Sequence, residues 1–121
     1  MEKNLKLFDA EYRFACIVWE SEPIQSRQLA VLCEQHLGWK RPTTYTVLRK
    51  LCERGIMKND NAIVTTLVRK DEVQQYESET LIERAFDGSL PNFITSFLRD
   101  KKLSNEEADK IKALIDNYKE D

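Results

Sequence analysis

Apolar residues recur at helical spacing near the start of the chain. Phe14, Ile17 and Val18 stand at i, i+3 and i+4, which predicts the buried face of a first helix. Asp9 is a good N-cap for this helix, and Pro23 ends the segment because proline cannot continue the hydrogen-bond ladder. The pattern therefore predicts a helix from Asp9 to about Trp19.

A second helix is predicted between Ser26, an N-cap candidate, and Gly38, which suits the position just past a helix end. Four residues share one face of this helix: Leu29, Leu32, Cys33 and Leu37. Their spacing predicts that this face is buried.

The third predicted helix has Pro42 in its first turn, a position that suits proline, and stops at Gly55. Its apolar stripe follows the i, i+3, i+4, i+7 pattern and consists of Thr44, Val47, Leu48 and Leu51. That stripe turns the other side chains toward solvent: Thr43, Tyr45, Thr46, Arg49, Lys50 and Glu53. The sequence thus predicts a helix with one buried and one polar, basic face.

A hairpin is predicted after the third helix. The stretch IMKNDNAIVTTLV places the turn-rich NDNA between two β-prone runs. Three helices followed by a hairpin indicate a winged helix-turn-helix, in which the third helix is the recognition helix and the hairpin is the wing.

From Asp71 onward the pattern predicts helices alone, with Ser89 as one cap and a Ser104–Glu107 capping box. Short helices of this length cannot close a core alone, so their apolar residues predict a twofold dimer interface. That interface is assigned to Leu81, Phe86, Leu90, Phe93, Ile94, Phe97, Leu98, Ile111, Leu114 and Ile115. The predicted fold is mainly α with a small β-hairpin: a winged helix-turn-helix over residues 1–71, then a C-terminal helical dimerisation module over residues 72–121.

Composition argues against several classes of protein. No apolar run is long enough for a transmembrane helix or a signal-peptide core, so a cytoplasmic location without membrane association is expected. The three cysteines are widely spaced and there is one histidine, so neither a metal site nor a cofactor is predicted. His36 has no neighbouring nucleophile pattern and the glycines are not grouped, so an enzyme is not expected.

Charge is divided unevenly along a chain of net charge −2. Residues 1–70 hold 12 Lys/Arg against 8 Asp/Glu, whereas residues 71–121 hold 7 against 13. The basic third helix predicts binding to double-stranded DNA through Arg41, Thr43, Tyr45, Thr46, Arg49 and Lys50, with cations on phosphates and short polar side chains at base edges. A plain solvated helix face, and a winged-helix protein–protein adaptor without sequence-specific DNA binding, remain as alternatives.

Three motifs occur in order: LFDAEYRFACIVWE, then Trp39 with Thr43, Thr46, Leu48, Leu51 and Gly55, then FDGSL with a later LSNEE. Together they resemble the penicillinase-repressor family of bacterial transcriptional regulators over nearly the whole chain. The resemblance implies a homodimeric repressor on a pseudo-palindromic operator. It also implies that Thr43 and Thr46 face the DNA, with Lys50 near the phosphates.

The sequence departs from that family in three places. No cysteine follows Cys52, which argues against the copper sensing of one branch, and the wing is shorter and carries the acid Asp60. In the β-lactam branch a sensor protease leads to a cut between Asn and Phe. The aligned bond here is Ser96–Phe97, while an Asn–Phe pair lies at residues 92–93. We therefore expect another signal or regulatory partner to control the protein.

Overall fold

The computed structural model describes residues 4–120, which form six helices and three short strands. The elements in chain order are α1 Asp9–Ser21, β1 Ile24–Gln25, α2 Ser26–Leu37, α3 Arg41–Glu53, β2 Met57–Asp60, β3 Ile63–Thr66, α4 Lys70–Phe86, α5 Leu90–Leu98 and α6 Asn105–Asn117. The predicted fold class, a winged helix with a helical C-terminal module, is confirmed.

The starts of the first two helices differ from the prediction by one residue. Asp9 is the first residue of α1 and Phe8 is its N-cap, while Ser26 opens α2 after the N-cap Gln25. The reason at α1 is Glu11, whose carboxylate accepts a hydrogen bond from the Phe8 N–H at 2.9 Å. A carboxylate one turn inside the helix thus satisfies a free N–H at its start, and Asp9 is not needed as a cap.

The core lies among α1, α2, α3 and the sheet. Phe14 and Val18 of α1 are fully buried, as are Leu29 and Cys33 of α2. The linker residue Trp39 stacks on Phe14 with ring centroids 5.7 Å apart, which packs the start of α3 against the core.

The predicted two faces of α3 are confirmed. Thr44, Leu48 and Leu51 are 0%, 3% and 0% exposed, and Val47 is half-buried. All six side chains that the pattern turned outward are exposed. The core therefore fixes which side of α3 meets the solvent.

The sheet contains a strand that the sequence did not predict. The strand order is β1-β3-β2 with antiparallel pairs, and Ile24 of β1 lies opposite Val64 of β3. The hairpin turn consists of Asn61 and Ala62, both with positive φ, at 52° and 65°. Two successive left-handed residues are typical of the hairpin turn that matches strand twist.

The described chain divides into two compact units, one ending at Leu81 and the other starting at Ile82. Val73 in the first turn of α4 is fully buried in the core of the first unit. In the second unit the predicted caps are confirmed, since Ser89 and Ser104 accept hydrogen bonds from the N–H groups of Asn92 and Glu107, each at 3.1 Å. None of the helices within residues 4–120 is both long and apolar enough to cross a membrane.

Candidate DNA interface

The exposed face of α3 carries the side chains that the sequence assigned to DNA. With about 100° of rotation per residue, Thr46 projects close to the direction opposite Leu51 and Thr44. Lys50 and Arg49 flank Thr46 on its two sides one turn further on. Thr43 and Tyr45 therefore define the edges of this face at the N-terminal end, and Tyr45 is 38% exposed.

Four cations along this helix are available to an external anion. Lys40, Arg41, Arg49 and Lys50 are exposed, and none of them is paired with an acid within residues 4–120. They sit beside short threonine side chains, which let a phosphate backbone and base edges approach closely. This is the arrangement that a groove-binding helix requires.

Arg54 has a different position from the other cations of this stretch. Its guanidinium lies 3.6 Å from the Glu11 carboxylate, and it donates to the main-chain oxygens of Asn4, at 3.2 Å, and of Lys6. These contacts join residues that are 48 and 50 positions apart in the chain. Arg54 thus holds the N-terminal segment against the end of α3, a role that sequence spacing did not signal.

The wing is poor in positive charge. Lys58 of β2 lies 3.9 Å from Asp60, and both side chains are exposed. Ile63, on the opposite side of the turn, is 38% exposed. The tip of the hairpin therefore presents an acid and an apolar side chain, so the wing offers little to a phosphate backbone.

One threonine on α3 faces the core. The Thr44 hydroxyl is buried and has no hydrogen-bond partner of normal geometry among residues 4–120. Its neighbour is Cys33, a weak partner; burial raises the pKa of the Cys33 thiol, and the contact with Thr44 lowers it by less. The Cys52 thiol likewise has a raised pKa, chiefly through burial, so both cysteines are neutral near pH 7.

Apolar side chains are exposed on the second unit, where neither α5 nor α6 contains a buried residue. Leu81 at the end of the first unit is also 38% exposed. The exposed residues assigned to the dimer interface in the second unit are Leu90, Ile94, Phe97, Ile111, Leu114 and Ile115. The three remaining assigned residues, Phe86, Phe93 and Leu98, are half-buried.

The Ser96–Phe97 bond lies in the last turn of α5. Ser96 O accepts a hydrogen bond from the Arg99 N–H at 3.4 Å, and Lys101 Nζ donates to Phe97 O at 2.9 Å. The same ammonium lies 4.2 Å from the centroid of the Phe97 ring. Phe93, one turn earlier, packs between the rings of Phe86 and Phe97, at 5.4 and 6.1 Å. Both Phe positions are therefore held in helical backbone, not in an extended chain.

Fold and surface together define a winged-helix protein with a cation-bearing third helix. Residues 7–117 match the family model described as "Penicillinase repressor". The chain belongs to this family, whose members are DNA-binding transcriptional repressors and not enzymes, and the resemblance seen in the sequence is confirmed. A penicillinase repressor of Bacillus licheniformis is 20% identical over 123 residues, an alignment that covers 98% of this chain and 96% of that protein.

Proposed function

We propose that this protein is a homodimeric transcriptional repressor that binds a pseudo-palindromic DNA operator through α3. The observation that supports this most directly is the division of α3 into two faces. Leu48 and Leu51 are buried in the core, while Thr46, Arg49 and Lys50 are exposed. A helix packed in this way can enter the major groove with its exposed face while its buried face stays in the core.

The roles of the six residues follow from their chemistry. Arg41, Arg49 and Lys50 neutralise phosphates and set the affinity, because such contacts are independent of sequence. Thr43, Tyr45 and Thr46 face base edges and thymine methyl groups and set the sequence preference.

Dimerisation through the second unit is the companion proposal. The dimerisation module proposed from the sequence, residues 72–121, contains this unit together with most of α4, and residues 1–71 are proposed as the DNA-binding domain. The support is that α5 and α6 have no buried residue, and that large apolar side chains on them are exposed: Phe97 and Leu114 are each 56% exposed. Apolar surface of this extent is typical of an interface, and a twofold axis presents two α3 helices to successive half-sites.

Selection from a pool of random-sequence duplexes tests the proposal. We expect a recovered motif with two inverted half-sites whose centres lie about 10 base pairs, or a multiple of that, apart. The Arg49→Gln/Lys50→Gln variant is expected to bind the selected duplex weakly and with a salt slope lower by about four units, because two phosphate contacts are lost in each protomer of the dimer. Arg13→Gln/Lys70→Gln removes two exposed cations outside α3 and serves as the matched control, with little change expected.

The second candidate function is a winged-helix protein–protein adaptor, which the acidic wing tip at Asp60 favours. The same selection separates the two. A pool that yields no enriched motif, together with equal weak binding by parent and Arg49→Gln/Lys50→Gln proteins, would contradict the repressor and favour the adaptor.

Release of repression is proposed to involve a regulatory partner other than the β-lactam sensor protease. The supporting observation is that the aligned bond has Ser96 in place of asparagine and lies in a helical turn whose carbonyls are hydrogen-bonded.

A further inference from the structure

A groove runs between the N-terminal segment and the C-terminal half of α3. Its lining includes Lys6, Phe8 and Glu11 on one side and Lys50, Glu53 and Arg54 on the other. Lys50 thus belongs both to this groove and to the proposed DNA-binding face. The groove is therefore continuous with that face.

We propose that Lys6 binds a DNA phosphate next to the one bound by Lys50, and that Arg54 positions Lys6 without touching DNA itself. This inference rests on the proposed function and adds the N-terminal segment to the DNA-binding surface. Lys6 is exposed and has no acidic partner within residues 4–120. Its ammonium lies 5.4 Å from the centroid of the Phe8 ring, which itself is 65% exposed.

The geometry of Arg54 supports a positioning role. Its guanidinium forms an ion pair with the Glu11 carboxylate and donates hydrogen bonds to two main-chain oxygens, those of Asn4 and Lys6. The Lys6 backbone is therefore fixed by Arg54, the C-cap residue of α3, while the Lys6 side chain remains exposed. Tyr76 of α4 adds a second hold, since its hydroxyl donates to Asn4 Oδ1 at 3.2 Å.

The two acids that line the groove, Glu11 and Glu53, differ in how far they offset the positive charges of Lys6 and Lys50. Glu11 is engaged by Arg54 and by the Phe8 N–H, so its charge is already compensated. Glu53 is exposed and projects about 60° from Lys50 around the helix axis, on the side away from Arg54. A phosphate on the Arg54 side of Lys50 is consequently further from Glu53 than one on the opposite side.

Binding of the selected duplex, measured by fluorescence anisotropy across a salt series, tests the proposal. We expect Lys6→Gln to lower the slope of log K against log salt concentration by about 1.8, the value for two lost phosphate contacts, one in each protomer of the bound dimer. Lys6→Arg should keep the parent slope. Arg13→Gln, an exposed cation on α1 outside the groove, is the matched control and should leave the slope unchanged.

A double-mutant cycle separates positioning from contact. If Arg54 acts through Lys6, Arg54→Gln lowers the slope by about as much as Lys6→Gln, and the double variant loses no more than either single variant. Additive losses would show that Arg54 meets DNA itself and would overturn the positioning role. Thermal melts of each variant identify any loss of folding, and Lys6→Gln alone decides the phosphate contact in that case.

The outcomes also distinguish this inference from the proposed function. A parent protein that selects no motif contradicts the function. A parent that binds its duplex in an Arg49- and Lys50-dependent manner, with Lys6→Gln at the parent slope, contradicts the Lys6 contact alone.

Discussion

Three threonines of α3 can be compared directly, because they lie in the same helix and differ in burial. Thr44 is 0% exposed and its hydroxyl has no well-formed hydrogen bond within residues 4–120, whereas Thr43 and Thr46 are exposed. Replacement of each by valine changes a hydroxyl into a methyl group at nearly constant volume. Threonine and valine also have similar helix propensities, so helix formation itself is little affected.

The magnitude at Thr44 follows from burial. A buried hydroxyl without a partner costs about 1–3 kcal/mol, and a buried methyl group contributes about 0.8 kcal/mol in its place. The weak contact with the Cys33 thiol, which is lost, offsets part of this gain. We expect Thr44→Val to raise the free energy of unfolding by about 1–2 kcal/mol. Thr43→Val and Thr46→Val should change it by less than about 0.5 kcal/mol.

The assays are urea unfolding followed by circular dichroism, at one fixed protein concentration, and binding of the selected duplex. Thr44→Val is expected to be more stable with unchanged affinity and sequence preference. Thr43→Val and Thr46→Val should leave the stability nearly unchanged and should change the sequence preference. Destabilisation by Thr44→Val would reveal a hydrogen-bonding partner such as a buried water, and a changed sequence preference in that variant would refute the assignment of faces on α3.

Three further predictions concern the turn, the second unit and regulation. Ala62→Gly should stabilise the protein by roughly 0.5–1 kcal/mol in urea unfolding, because glycine accepts the positive φ at less cost; a loss of stability would refute the left-handed turn. Phe97→Asp should convert a dimer into a monomer at micromolar concentration in sedimentation velocity, since a charge would enter an apolar interface; a variant that sediments as the parent does excludes this residue from the interface. Cells treated with a β-lactam should yield no C-terminal fragment on immunoblots, and a fragment beginning at Phe93 or Phe97 would contradict this expectation.

The faces of the helices could be predicted from the sequence because they depend on local periodicity. In α3, Leu48 and Leu51 repeat at helical spacing, which alone fixes that Thr46 and Arg49 point outward. The cap at Ser104 is similarly local, since the side chain and the N–H group that it satisfies are three residues apart. Placement of the candidate DNA-binding residues thus followed from short-range pattern, while their roles stay predictions.

Contacts between distant parts of the chain could not be predicted. The strand β1 has two residues, too few for any alternation, and it forms because Val64 and Ile63 of β3 offer an edge to Ile24 and Gln25. The contacts of Arg54 with the N-terminal segment have the same character. A run of basic residues gives no indication of which cation will bind a distant segment of the same chain.

The core of the first unit, which ends at Val73, has a consequence for biosynthesis. Within residues 4–120, every buried residue lies between Leu7 and Val73, so the core is built from residues of the first unit alone. We expect the first unit to fold on the ribosome while the C-terminal helices are still being made. Each nascent chain would then fold its α3 before it meets a second chain. The concentration of completed chains, not the folding of α3, would limit how fast the proposed dimer accumulates.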